Sequence, residues 1–213
     1  MNNKSHVGFW VIVFIVSFFV TPFFFREDSM RARLAEDVSE TQKVFGPVLG
    51  PEIISIATSI YRLTVGNTGV NEAIQQLQHS NKDMETAKLI GGGLMESAAK
   101  QADSYMASLG MEFYLVVLRM AIVGMWLLLL LPLGIAVIVD GLSARAKKFE
   151  TLGFQNPTAF SMSFHLAVLI SVVPGWYIFH PFPISPAFMP FWACLAALPL
   201  SFALMHTQPI LTR

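Results

Sequence analysis

Residues 119–140 read RMAIVGMWLLLLLPLGIAVIVD: an arginine, the 20 uncharged residues Met120 to Val139, and an aspartate. At about 1.5 Å of helix rise per residue such a run covers roughly 30 Å, the thickness of a bilayer's hydrocarbon core. The stretch therefore predicts a transmembrane helix bracketed by its own charges. Its start is expected earlier, near Glu112, and its stop at Asp140-Gly141, where glycine is available for a left-handed C-cap. Arg119 is expected to snorkel to the interface, with a pairing or functional role as the alternative.

Three further stretches read the same way. Val7 to Phe25 is 19 uncharged residues. It exceeds a typical signal-peptide core, and Thr21-Pro22-Phe23-Phe24-Phe25 offers no small-residue cleavage site, so it reads as an uncleaved anchor. The third span opens on Asn156-Pro157, an N-cap residue followed by proline at the first helical position. It runs to about Phe179, through the interface-loving pair Trp176-Tyr177. A proline-rich turn, Pro181-Phe182-Pro183-Ile184-Ser185-Pro186, leads into the fourth span, about Ala187 to Met205, so that the last two spans form a tight hairpin. The predicted fold class is all-α: an integral membrane protein with four transmembrane helices and a helical extramembrane segment between the first and second. The expected organisation is a signal-anchor helix over 1–25, a helical extramembrane segment over 26–112 on the periplasmic side, and a three-helix membrane region over 113–213 with a basic cytoplasmic loop at 140–160.

Composition agrees with lipid as solvent. Hydrophobic residues make up 54% of the 213, charged residues 13%, and mean hydropathy is +0.57, against about 25% charged in soluble domains. Lys plus Arg equals Asp plus Glu at 14 each, which gives no global attraction to nucleic acid. Cys194 is the single cysteine, so no intrachain disulfide framework exists.

Residues 26–112 hold eight Lys/Arg and twelve Asp/Glu, a net of −4. One helix is expected over about Glu27 to Phe45, stopping at Gly46-Pro47. A second is expected from Pro51-Glu52, with Ile53, Ile56, Ala57, Ile60 and Tyr61 on one face. Gly66-Asn67-Thr68-Gly69 breaks it. A third is expected near Val70 to Gln78, and a last from about Met84 into the second span, weakened at Gly91-Gly92-Gly93 by roughly 1 kcal/mol per glycine. The apolar faces are thin, so the segment is expected to pack on its own spans, a second copy or a partner.

Orientation follows from the basic residues of short loops. The 140–160 loop carries Arg145, Lys147 and Lys148, whereas 180–186 carries none. That places the former in the cytoplasm and, by parity, both termini there too, in a multi-pass bacterial inner-membrane protein. Lys4 agrees. Arg26, Arg31 and Arg33 disagree, but long segments translocate largely regardless of charge.

No nucleotide-binding motif is present, and Gly91-Gly92-Gly93 lacks the lysine of a phosphate cradle. The histidines at 6, 79, 165, 180 and 206 have no metal-ligand spacing. No catalytic residue, cofactor or metal is expected. The sharpest pattern is steric: Ser163, Ala167, Ser171 and Gly175 recur every four residues on the third span, and Ala193, Ala197 and Ser201 on the fourth. Small residues at that spacing let helices approach closely where lipid removes the hydrophobic drive. Pro132, Pro174 and Pro199 are expected to kink three spans. No span is expected to hold a central carboxylate or a buried ion pair, which argues against a proton- or ion-coupled transporter or a conducting pore.

From the second span onward the sequence resembles a known family. Val139-Asp140-Gly141-Leu142, the basic cluster Arg145, Lys147 and Lys148, then Phe160, Phe164-His165-Leu166 and the 181–186 turn are similar to TraJ-type inner-membrane proteins of H-type conjugative plasmids and integrating conjugative elements. The resemblance covers roughly residues 125–205. It implies a non-enzymatic partner of the type IV coupling ATPase (TraG/TraD-like), which links DNA processing to the secretion channel, with self-association and membrane lipid as further partners. Three basic residues are too few for strong direct DNA binding. The alternatives are a small transporter or channel, or an exclusion or immunity-type protein acting in the recipient cell.

Overall fold

A computed structural model describes residues 3–66, 81–150 and 156–207, and among these every regular element is helical. The helices are α1 (Asn3–Phe24), α2 (Glu27–Tyr61, ending in a π-helical turn, Arg62–Gly66), α3 (Asn81–Leu129), α4 (Leu131–Glu150), α5 (Pro157–Ser171), α6 (Val173–Phe179) and α7 (Phe188–Met205). Glu27–Val65, Glu96–Leu129, Pro157–Phe179 and Phe188–Met205 are long and apolar enough to cross a membrane, and Gly8–Phe24 is a shorter apolar helix.

Those four differ in part from the expected set. The last two coincide with the predicted third and fourth spans. Asn156 caps α5 as anticipated, its Oδ1 accepting from the N–H of Thr158 at 3.0 Å and of Ala159 at 3.3 Å. The second span is displaced: its apolar helix is Glu96–Leu129, and the chain turns at Leu130 before α4 starts. Pro132 explains the break, since it has no N–H to donate and its ring clashes with the preceding turn. The helix beginning near Met84 does lead into this span, as the single helix α3. Residues 67–80, which include the helix expected near Val70 to Gln78, lie outside the described residues.

Two expectations about 140–160 are overturned. Asp140-Gly141 does not end a helix, and the basic residues are not on a loop: α4 runs through both to Glu150. A glycine flanked by good helix formers costs about 1 kcal/mol, too little to stop a helix with a packing partner.

The break at Gly46-Pro47 is real but is a kink. Gly46 takes φ 75° and ψ −174°, a conformation open essentially to glycine alone, inside an otherwise continuous α2. After the kink Gly50 meets the preceding arm, where an added Cβ would lie 2.9 Å from the Gln42 Cα. Of the predicted face, Ile53 and Ala57 are buried while Ile56 and Ile60 stay exposed.

The chain forms two compact units. The first comprises residues 1–122 and 178–185; the second comprises 123–177 and 186–213. In the first, Met30, Ile53, Ala57, Leu115, Leu118 and Ile122 form the core. Thr58 and Tyr114 share a hydroxyl hydrogen bond at 3.0 Å, which joins α2 to α3. Phe14 stacks on Phe179, and the Ser17 hydroxyl donates to the Phe179 carbonyl at 3.0 Å. In the second unit α7 packs against both α4 and α5. The Trp192 indole N–H donates to the Ile170 carbonyl at 2.8 Å, tying α7 to α5.

Candidate functional site

Two helix faces in the first unit carry their polar residues inward. On α2 the buried positions Met30, Arg33, Asp37 and Thr41 follow one another at intervals of three and four. On α3 the buried positions Ser108, Glu112, Leu115, Arg119 and Ile122 do the same. Each set lies along one side of its helix, and the two sides meet at an ion pair. Arg119 Nε donates to Asp37 Oδ2 at 2.8 Å, with both side chains nearly inaccessible at 2% and 5% exposure. The rest of the Arg119 guanidinium donates to the carbonyls of His180 and Phe182, the latter at 3.2 Å. One side chain therefore fastens α2, α3 and the turn that follows α6. A planar fork of donors suits that task better than a lysine would.

The ion pair overturns two expectations. Arg119 does not snorkel but is paired, the role held open as the alternative. A helix long and apolar enough to cross a membrane, Glu96–Leu129, does contribute to a buried ion pair. The reason is that hydropathy treats each helix alone, whereas the carboxylate that holds Arg119 comes from 82 positions earlier. Arg33 and Glu112 extend the cluster to two guanidinium and two carboxyl groups, all within electrostatic reach of one another. Balanced charges of this kind reduce the desolvation cost each would carry singly. Arg33 lies over the Phe25 ring at 4.5 Å and donates to the Met30 sulfur at 3.1 Å. Its Nε and Nη2, together with Glu112 Oε2 and the Ser108 hydroxyl, are buried without hydrogen-bond partners among the described residues. Asp37, Arg33 and Glu112 were not singled out from sequence. Their signal was the three-and-four spacing of charge within otherwise apolar stripes.

Beside this cluster the His180 Nδ1 accepts the Phe182 N–H at 3.1 Å. Burial, reinforced by the Arg119 and Arg33 cations, holds the His180 imidazole below its ordinary pKa against the raising effect of the Phe182 backbone contact.

In the second unit Gly141 is the one predicted motif residue that is buried, while Asp140 is exposed and Arg145 and Lys148 are half-buried. The Ser201 hydroxyl donates to Asp140 Oδ2 at 3.0 Å. Gly141 is buried where α4 meets α7, so that an added Cβ would lie 2.7 Å from the Leu204 Cβ and 3.1 Å from the Ser201 carbonyl. Arg145 lies over the Phe149 ring at 5.5 Å. Lys148 Nζ sits 3.1 Å from His206 Nε2, and the Asn156 N–H donates to His206 Nδ1 at 3.3 Å. Lys147 is exposed.

The small-residue stripes fall on the hairpin helices. Ser163, Ala167, Gly175, Ala193, Ala197 and Ser201 are half-buried, and Ser171 is exposed with its hydroxyl donating to the Ala167 carbonyl at 2.7 Å. His165 is exposed on α5. Among the described residues no three His, Cys, Asp or Glu side chains gather as a metal-ligating group.

An all-helical chain with four helices long and apolar enough to cross a membrane, and a buried ion pair between two of its helices, is compatible with a helical membrane protein. Residues 29–212 match the family model of the IncC plasmid conjugative DNA transfer protein DtrJ-like, and the chain belongs to this DtrJ-like family. The match takes in α2 and α3 as well as the hairpin, far beyond the 125–205 stretch that carried the resemblance. No curated protein and no solved structure matches the chain.

Proposed function

We propose that this protein is a non-enzymatic, multi-pass inner-membrane subunit of a conjugative DNA-transfer coupling complex, which binds and positions the type IV coupling ATPase through its membrane helices. Membership of a conjugative DNA transfer family carries the reading. The helix surfaces support it: Leu127, Leu128, Met162, Leu169, Phe191 and Leu198 are all exposed by half or more. Such apolar surface needs lipid or a partner's helices to cover it. Of the four buried charged groups, Arg119 and Asp37 are spent on each other and on the His180 and Phe182 carbonyls, which does not favour a transporter. None of the four lines either of the two cavities described in the first unit.

Deletion of the gene in donor cells tests the proposal. Transfer of DNA should be lost while pilus production continues, and the tagged protein should carry the coupling ATPase with it from mild detergent after crosslinking. Recovery of the protein as a single species from crosslinked donors would overturn it. Mating with the gene present in the recipient alone separates the exclusion reading, which requires an effect there.

A further inference from the structure

We infer that the first unit holds a specific site for the phosphate-bearing headgroup of an anionic phospholipid, in a cavity where the end of α1 meets α3. The inference rests on the proposed membrane location. The cavity has a volume of about 730 Å³, within the roughly 300–1,000 Å³ usual for small-molecule sites. Its lining is two-sided. Pro22 and Phe23 come from the last turn of the apolar helix α1, and Ala98 and Ala102 from α3. Arg26, Lys100, Gln101 and Ser104 supply the polar side.

The placement argues for an amphiphile. If α1 lies in the hydrocarbon, its final turn and Arg26 stand at headgroup depth. Tyr105 marks the same level, its ring 4.4 Å from that of Phe23 and its hydroxyl donating to the Phe19 carbonyl at 3.1 Å. Aromatic residues with one wet and one apolar end concentrate at that boundary. An acyl chain would run along the exposed Phe23 and Phe19, which are 70% and 50% accessible.

The charge argues for an anion. The Arg26 side chain makes no hydrogen bond or ion pair among the described residues, so its guanidinium fork is available, and such forks suit phosphate oxygens. Lys100 gives one ammonium proton to Glu96 at 2.7 Å and keeps two. Glu96 is not on the lining. Gln101 adds an amide donor and Ser104 a hydroxyl. Ser97, whose hydroxyl already donates to the Leu94 carbonyl, can only accept. Two cations and two neutral donors line the cavity, and no carboxylate does.

The test uses the full chain purified in mild detergent, with bound phospholipid measured by native mass spectrometry and by total phosphorus. Phosphatidylglycerol should stay bound in preference to phosphatidylcholine. Arg26→Gln with Lys100→Gln should weaken that retention about tenfold, as expected when two charge-assisted contacts are lost. Both side chains are exposed, so the double variant should keep its fold, checked by its melting temperature. Lys43→Gln, a change at an exposed cation away from the cavity, should leave retention unchanged. Equal retention in wild type and double variant would overturn the site. Inorganic phosphate displacing the lipid at millimolar concentration and stabilising the chain equally would assign the cavity to a free anion and overturn the lipid. Extraction of the protein from membranes by alkaline carbonate would separately sink the membrane location on which the inference stands.

Discussion

At Arg119 the guanidinium has left water entirely, and its compensation comes from Asp37 and two carbonyls. Removing one partner strands the other. Arg119→Gln or Asp37→Asn should each cost about 3–5 kcal/mol of stability, the usual penalty for breaking a buried pair. The double change Arg119→Leu/Asp37→Leu should cost less than either single change, because no unpaired charge remains. Chemical unfolding in detergent, read by tryptophan fluorescence, checks both. His206 offers a second, milder case. Burial first and Lys148 second push its pKa below the ordinary value of about 6.5. A histidine that is held neutral in the fold contributes stability that is complete above the unfolded pKa and is lost as pH falls through the lower folded value. The second unit should therefore weaken below about pH 6.5, and His206→Gln should flatten that dependence in a pH series of melting temperatures. Neither contact is written locally in the sequence. Arg119 and Asp37 are brought together by folding across 82 positions, and Lys148 and His206 across 58.

Among the elements, two glycines do different work. Gly46 supplies the left-handed conformation at the α2 kink, with nothing near its missing side chain. Gly46→Ala should cost about 1–3 kcal/mol from backbone strain alone. Gly141 has ordinary helical geometry but no room, so Gly141→Ala trades the better helix propensity of alanine, about 1 kcal/mol, against a clash with Leu204 and the Ser201 carbonyl. Overpacking of that kind costs about 1–3 kcal/mol, and the net should be a lower melting temperature that Leu204→Ala, which keeps the Cβ in closest contact, does not restore. Sequence reading caught the first because Gly-Pro is a local breaker. It misassigned the second because a glycine near the end of an apolar run looks like a cap until the neighbouring helix is known. Asn156-Pro157 was legible for the same reason as Gly46-Pro47: caps and prolines act on their own turn of chain. The helical character of Arg145, Lys147 and Lys148 was obscured by reading the end of hydrophobicity as the end of the helix.

For the whole molecule, the number of crossings that the proposed membrane location implies is decided by the first half. Glu27–Val65 qualifies by length and composition, yet its residues 27–45 hold eight charged side chains (Glu27, Asp28, Arg31, Arg33, Glu36, Asp37, Glu40 and Lys43). Arg31 pairs with Glu27 and Lys43 with Glu40 on exposed surface, where hydrocarbon would not tolerate them. The apolar part is the arm after the Gly46 kink, and its 15 residues from Pro47 to Tyr61 cover about 22 Å, short of the roughly 30 Å of a hydrocarbon core. Glu52 stands exposed within it. The arm is therefore expected to stay outside the hydrocarbon, with α1 as the crossing that precedes it, which keeps residues 26–112 periplasmic and both termini cytoplasmic. Cys194 is the sole native cysteine, so Cys194→Ser gives a thiol-free background. In that background Glu52→Cys should react with a membrane-impermeant maleimide in intact cells whose outer membrane has been opened. A cysteine at Lys147 should react only after the inner membrane is broken. Protection at position 52 that persists after lysis would place the arm in lipid, add a crossing, and reverse the side on which the helix carrying Lys147 lies.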